Sequence, residues 1–213
     1  MKLKIKSIKY FTAMLLGAIT CLTGCATTGM DRATRSTTSI QKVEEDYKQA
    51  SEQIDVVRAS LERLFIPYQP EMKKAYDAYA DDVKKMEELG KQLDIHTEKM
   101  KNRGNEYLIE WESSYSNPEI RELSEQRRAE IREGYLKISV AGSGVKETLA
   151  TYVTDITEIK KFLSNDLTPQ GIDSVRPIAQ RAAKEGDSLK ESVKPVLTAI
   201  DLVRTEMAQS GAK

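Results

Sequence analysis

Three side chains hold most of the reactive chemistry in this chain: two thiols, Cys21 and Cys25, and one imidazole, His96. A thiol can serve as an acyl acceptor, a metal ligand, a disulfide partner or a nucleophile, and each role needs different company. His96 has no second histidine to share a metal. The residue three positions before it is Leu93 rather than the glutamate of a Glu-x-x-His pair, so no di-metal centre of a helical bundle is encoded. A lone histidine beside a helix seam reads as a surface or packing residue. There is no Gly-x-Ser-x-Gly turn and no phosphate loop, and Gly142-Ser143-Gly144 follows no strand. Catalytic residues: none; metal ligands: none; cofactors: none. Cys25 remains, and its position decides what its thiol does.

Lys2, Lys4, Lys6 and Lys9 sit in an acid-free first stretch, and Phe11 to Leu22 form an apolar run ending in small residues. This is the charge-then-apolar order of a secretory signal over residues 1–24. The run falls short of the roughly 20 residues a spanning helix needs. Leu22-Thr23-Gly24-Cys25 closes it and resembles the lipobox of bacterial lipoproteins. The resemblance implies that the Cys25 thiol is acylated, that the chain is cut just before it, and that the new N-terminus is acylated as well. Ala26 follows the cysteine in place of aspartate; by resemblance to enterobacterial lipoproteins this implies the outer membrane, facing the periplasm, rather than inner-membrane retention. At about 0.8 kcal/mol per buried CH₂, two or three acyl chains hold a protein firmly where one does not.

Cleavage would leave about 190 residues, enough for one domain with a real core. Cys21 would leave with the signal and Cys25 would carry lipid, so no thiol is left for a disulfide or a thiolate metal site. The 33 lysines and arginines balance 33 acids, and losing the four signal lysines turns a neutral chain slightly acidic. That balance argues against nucleic acid as a partner and against a broad basic surface for anionic lipid.

Everything after the signal must be built to present or support such an anchor. Residues 25–38 are small and polar and read as a lipidated N-terminus and tether. From residue 39 to 208 the hydrophobic period is that of long helices. Ile40, Val43, Tyr47, Ala50, Ile54, Val57, Leu61 and Leu64 alternate spacings of three and four, the a/d seam of a heptad. Pro67 and Pro70 end that helix and start the next. In the second helix Met72, Tyr79, Met86, Leu93, Met100 and Tyr107 recur every seven residues, and Tyr76, Val83, Gly90, Thr97, Gly104 and Trp111 fill the partner position. Glycine there admits a bulky neighbour at a helix cost of about 1 kcal/mol relative to alanine. Asn117-Pro118 and Thr168-Pro169 are N-cap and first-turn pairs for a third and a fourth helix. The third helix is seamed from Ile120 to Leu163, with Gly142-Ser143-Gly144 as its candidate kink. The fourth runs from Ile172 to Met207, with Pro177 and Pro195 off its core face. Residues 209–213 read as a frayed C-terminus. No segment alternates as a strand does. The expected fold is all-α: an elongated antiparallel up-down-up-down bundle or coiled coil of four helices.

Tyr107, Trp111 and Tyr115 recur every four residues toward the second turn. They either close the bundle end or form a contact site with an apolar body and polar edges suited to a headgroup region. Four antiparallel helices put this turn at the end that carries the N-terminus. With a first helix of roughly 30 residues against roughly 46 in the second, the tip is expected to overhang by about 24 Å. Ser124 and Arg127 fall on the third seam, where they mark either an opening of the bundle or a polar layer that fixes register. Mixed charges such as Arg121, Glu125 and Arg128 read as a solvated, paired face.

The stretch from Trp111 to Leu167 resembles an uncharacterised family of bacterial lipoproteins, the one catalogued as domain of unknown function 2959. The likeness is carried by Trp111-Glu112, Tyr115-Ser116-Asn117, Ile120-Arg121, Ser124-Glu125, Tyr135 and Asn165-Asp166-Leu167. It implies an envelope-anchored helical protein and supplies no activity. Function is therefore expected to be contact, not catalysis: an outer-membrane lipoprotein whose partner is an envelope protein or a second copy. A BAR-like or other membrane-contacting module is the alternative. Peptidoglycan tethering through Lys213, as in Braun's lipoprotein, is a second alternative; an even number of helices counts against it because the C-terminus returns to the anchored end.

Overall fold

The computed structural model describes residues 28–67, 70–111 and 114–209. The expected signal, the expected lipobox residues Leu22, Thr23 and Gly24, the expected acyl acceptor Cys25 and all of the expected frayed residues 209–213 except Gln209, which ends α4, lie outside them. Four helices occupy the described chain: α1 (Gly29–Leu64), α2 (Met72–Ile109), α3 (Pro118–Asn165) and α4 (Pro169–Gln209). No strand occurs among the described residues. Short turns make sequential neighbours antiparallel. Each helix touches two others, in the cyclic order α1, α2, α3, α4, with no contact across either diagonal. At 1.5 Å per residue the helices are about 54 to 72 Å long, so the bundle is a rod.

The seams pack as their spacing predicts. All eight α1 positions from Ile40 to Leu64 are buried, as are Tyr79, Val83, Met86, Leu93, Met100 and Tyr107 of α2. Ile131 to Leu163 of α3 and Ile172 to Val203 of α4 complete the core. Asn117 caps α3, its side chain accepting from the backbone of Glu119 and Ile120. Thr168 caps α4 by accepting from Gly171 N at 3.1 Å. Pro177 and Pro195 lie inside α4 and are exposed. α3 runs as one helix through Gly142-Ser143-Gly144, where a kink was expected. The close approach of Tyr47, whose hydroxyl lies 3.0 Å from where a Gly142 Cβ would stand, accounts for that glycine.

The N-terminal boundary differs from the sequence expectation. Residues 29–38, read as tether, are the first ten residues of α1. A capping box starts the helix: the Thr28 hydroxyl accepts from Asp31 N at 3.2 Å, and Thr28 N donates to the Asp31 carboxylate at 3.0 Å. The seam then continues through Ala33 and Ser36 in small residues that carry no hydrophobic signal. Ser36 is fully buried and shares a hydrogen bond with the Tyr135 hydroxyl, and the Ser39 hydroxyl donates to Ser36 O at 2.7 Å. α1 thus has 36 residues against 38 in α2, and Arg35 meets Glu110 at 3.4 Å. The expected overhang of the tip is absent because α1 starts earlier than expected and α2 stops at Ile109, short of the roughly 46 residues expected of it.

Candidate functional site

α2 ends at Ile109, and the chain turns into α3 at Pro118. The two seam positions of α2 carry Tyr107 and, just past the end of the helix, Trp111 to this end, and their rings meet edge-on with centroids 5.6 Å apart. The Trp111 indole Nε1–H donates to Ser124 Oγ at 2.9 Å, across the turn. Ser124 is buried, so the polar seam position is a layer with a specified partner. Arg127, one turn on, donates to Glu130 at 2.8 Å and to the Glu206 carbonyl at 3.4 Å. Tyr107, Trp111 and Tyr115 together line a cavity of about 650 Å³ with Met30, Arg32 and Met207. The three expected aromatic residues are therefore brought together, at the end shared by the start of α1 and the end of α4. Burial holds the Tyr107 hydroxyl above the usual phenol range, against the pull of Arg127 and Arg32.

The rim of this end is apolar and open. Met30 is 68 % exposed, Ile109 81 %, Ile120 48 % and Leu123 65 %. Ile120 is expected in the core from its seam position, but in the first turn of α3 it lies half-exposed. The bundle opens one turn beyond the Ser124 layer.

Midway along the rod, a groove of about 750 Å³ separates α2 from α3. Gly90, Thr97 and Gly142 leave the space, and Val43 and Tyr47 form part of its lining. Burial pushes the Tyr47 hydroxyl up to about 12, so it stays a neutral donor.

His96 is partly buried and does have a partner. Its Nδ1 lies 2.5 Å from Asp46 Oδ2, and Asp46 is 3 % exposed. Burial raises the Asp46 carboxyl above its ordinary value, with the His96 hydrogen bond opposing. The pair lies fifty positions apart on different helices, and no local signal in the sequence marks it. Among the described residues no group of three or more His, Cys, Asp or Glu is placed to hold a metal, and no helix is long and apolar enough to cross a membrane. Compared with models of known families, with characterised proteins and with solved structures, the chain matches none.

Proposed function

We propose that this chain is an outer-membrane-anchored lipoprotein facing the periplasm, and that its rod acts by contact rather than by chemistry. The observation that carries the reading is the composition of one end. Met30, Ile109, Ile120 and Leu123 stand exposed around it, the Tyr107–Trp111–Tyr115 cluster lies beneath, and α1 begins there, four residues after Cys25. Exposed aliphatic side chains over an aromatic layer suit the boundary between headgroups and acyl chains. Acids and bases mix at this end, with Arg35 on Glu110 and Arg127 on Glu130. That balance favours a zwitterionic lipid surface over an anionic one. The end would then act as a second foot that sets the stance of the rod on its membrane and leaves its length for a protein partner.

Two measurements test this. Cys25→Ser should abolish labelling by a palmitate analogue; a labelled mutant would show that the thiol is not the acceptor. The acylated protein is then placed in zwitterionic nanodiscs carrying brominated acyl chains. Quenching of Trp111, lost in the Ile109→Glu/Leu123→Glu variant that keeps its acyl label, supports the contact. An unquenched wild type places the end away from lipid and makes a protein partner the whole of the function.

A further inference from the structure

One groove on the rod is lined by cations and hydroxyls with no carboxylate among them. It lies between α1 and α2, has a volume of about 240 Å³, and is bounded by Arg35 and Lys42 on one helix and His96, Lys99 and Arg103 on the other, with the Thr34 and Thr38 hydroxyls beside them. The periodicity puts these groups together. Thr34, Thr38 and Lys42 are four apart, while His96, Lys99 and Arg103 are three and four apart, so each set forms a stripe on its own helix. Antiparallel packing sets the stripes side by side.

A seam flank of this length normally mixes signs, as it does along the rest of the rod. Here the acids stand outside the groove. Glu110 takes Arg35 at 3.4 Å, Glu106 takes Arg103 at 2.5 Å, and Glu45 is 4.0 Å from Lys42. Each guanidinium has five N–H donors, so one carboxylate leaves most of them for a ligand. Lys99 is exposed and makes no ion pair among the described residues. Asp46, the one buried acid among the described residues, holds His96 through Nδ1, which leaves Nε2 as the ring nitrogen a ligand meets.

We propose that this groove binds a phosphate group carried as a monoester. A carboxylate presents two oxygens in a plane and is satisfied by a single bidentate arginine. A phosphate monoester presents three terminal oxygens in a tetrahedral array and carries up to two charges, which matches donors converging from two helices. The volume equals about eight waters at roughly 30 Å³ each, room for the phosphate and part of its hydration but not for a folded polyanion. The near balance of charge over the whole chain argues against a nucleic acid. The site does not rest on acylation of Cys25. The phosphate comes either from a lipid headgroup or from a soluble ester, and the test distinguishes them.

His96 is the only histidine, so its imidazole signals in a ¹H–¹⁵N NMR spectrum report this groove alone. The full chain in neutral detergent is titrated with inorganic phosphate and with glycerol phosphate, and separately with phosphatidic acid in mixed micelles. Saturable movement of the His96 signals is expected, with affinity falling at least tenfold in Lys99→Gln/Arg103→Gln and unchanged in Lys161→Gln near the opposite end. Lys99→Gln alone, on an exposed side chain, serves if the double variant unfolds. A response to both phosphates and to phosphatidic acid assigns a headgroup; a response to the soluble phosphates alone assigns a soluble ester. Unmoved His96 signals, or binding by Lys99→Gln/Arg103→Gln equal to wild type, overturns the proposal.

Discussion

A Cβ placed on Gly104 would stand 2.7 to 2.9 Å from three ring atoms of Tyr135. The ring itself is not free to retreat, because the Tyr135 hydroxyl is hydrogen-bonded to buried Ser36 on α1. The glycine on the α2 seam therefore joins three helices at one level: α2 yields its side chain, α3 supplies the tyrosine, and α1 supplies the hydroxyl partner.

Gly104→Ala should destabilise the rod by about 1–3 kcal/mol, since overpacking outweighs the helix propensity gained. Gly144→Ala is the control, because a Cβ there has nothing within 4 Å. It should stabilise by up to about 1 kcal/mol. Urea melts of the two variants decide the matter, and equal midpoints would mean that the Tyr135 ring shifts without cost.

The pattern of what the sequence discloses follows from these same residues. Ile40 to Leu64 announce a helix because aliphatic and aromatic side chains mark the seam at every step. Ala33 and Ser36 continue it in residues that periodicity does not register, and so the start of α1 reads as tether. The only local clue was Thr28 with Asp31 three positions on, an N-terminal box. Ser124 is conspicuous as a polar residue on a seam, but its partner Trp111 is fixed by a turn whose geometry spacing cannot supply. Ile120 has the right phase and still lies exposed, since phase says nothing of where a neighbouring helix stops. The Asp46–His96 pair and the cationic groove need the register of α1 against α2, and heptad spacing alone leaves register open.

His96→Ala should cost about 1–3 kcal/mol at neutral pH, because Asp46 stays buried without its partner. Asp46→Asn in the same background should recover part of the loss by removing the charge. A double-mutant cycle from denaturant melts measures the coupling. Additive effects would show that solvent, rather than the imidazole, satisfies Asp46.

Glu87 carries the clearest pH signature. The Lys160 ammonium at 2.7 Å holds its carboxyl below the ordinary 4.5 against the opposing effect of burial, with the Thr157 hydroxyl at 2.9 Å adding to the same side. A carboxyl depressed in the folded state adds stability that is complete above the unfolded value and is lost as pH falls through the folded one. Lys160→Met should therefore cost about 1 kcal/mol at pH 7 and lose less on acidification below 4.5 than wild type does. Thermal melts across that range test the sign; parallel curves for the two proteins would remove Glu87 from the account.

The Trp111–Ser124 hydrogen bond closes the end on which the functional reading depends. Trp111 is the sole tryptophan, so collisional quenching of its emission by acrylamide measures access to this one place. Ser124 is buried and accepts from the indole Nε1–H at 2.9 Å, while the Tyr107 ring abuts the indole edge-on. Removing the hydroxyl leaves a half-shielded N–H to find water, which loosens the ring and costs about 1 kcal/mol. Ser124→Ala should raise acrylamide quenching and lower the melting midpoint, while Ser124→Thr, which keeps an acceptor oxygen, should do neither. Tyr107→Leu tests the other contact: it keeps the apolar volume but loses the ring edge, so it should raise quenching by a smaller step. If Ser124→Ala quenches like wild type, the indole is held by its packing against the Tyr107 ring, and the Ser124 layer serves only the register of α3.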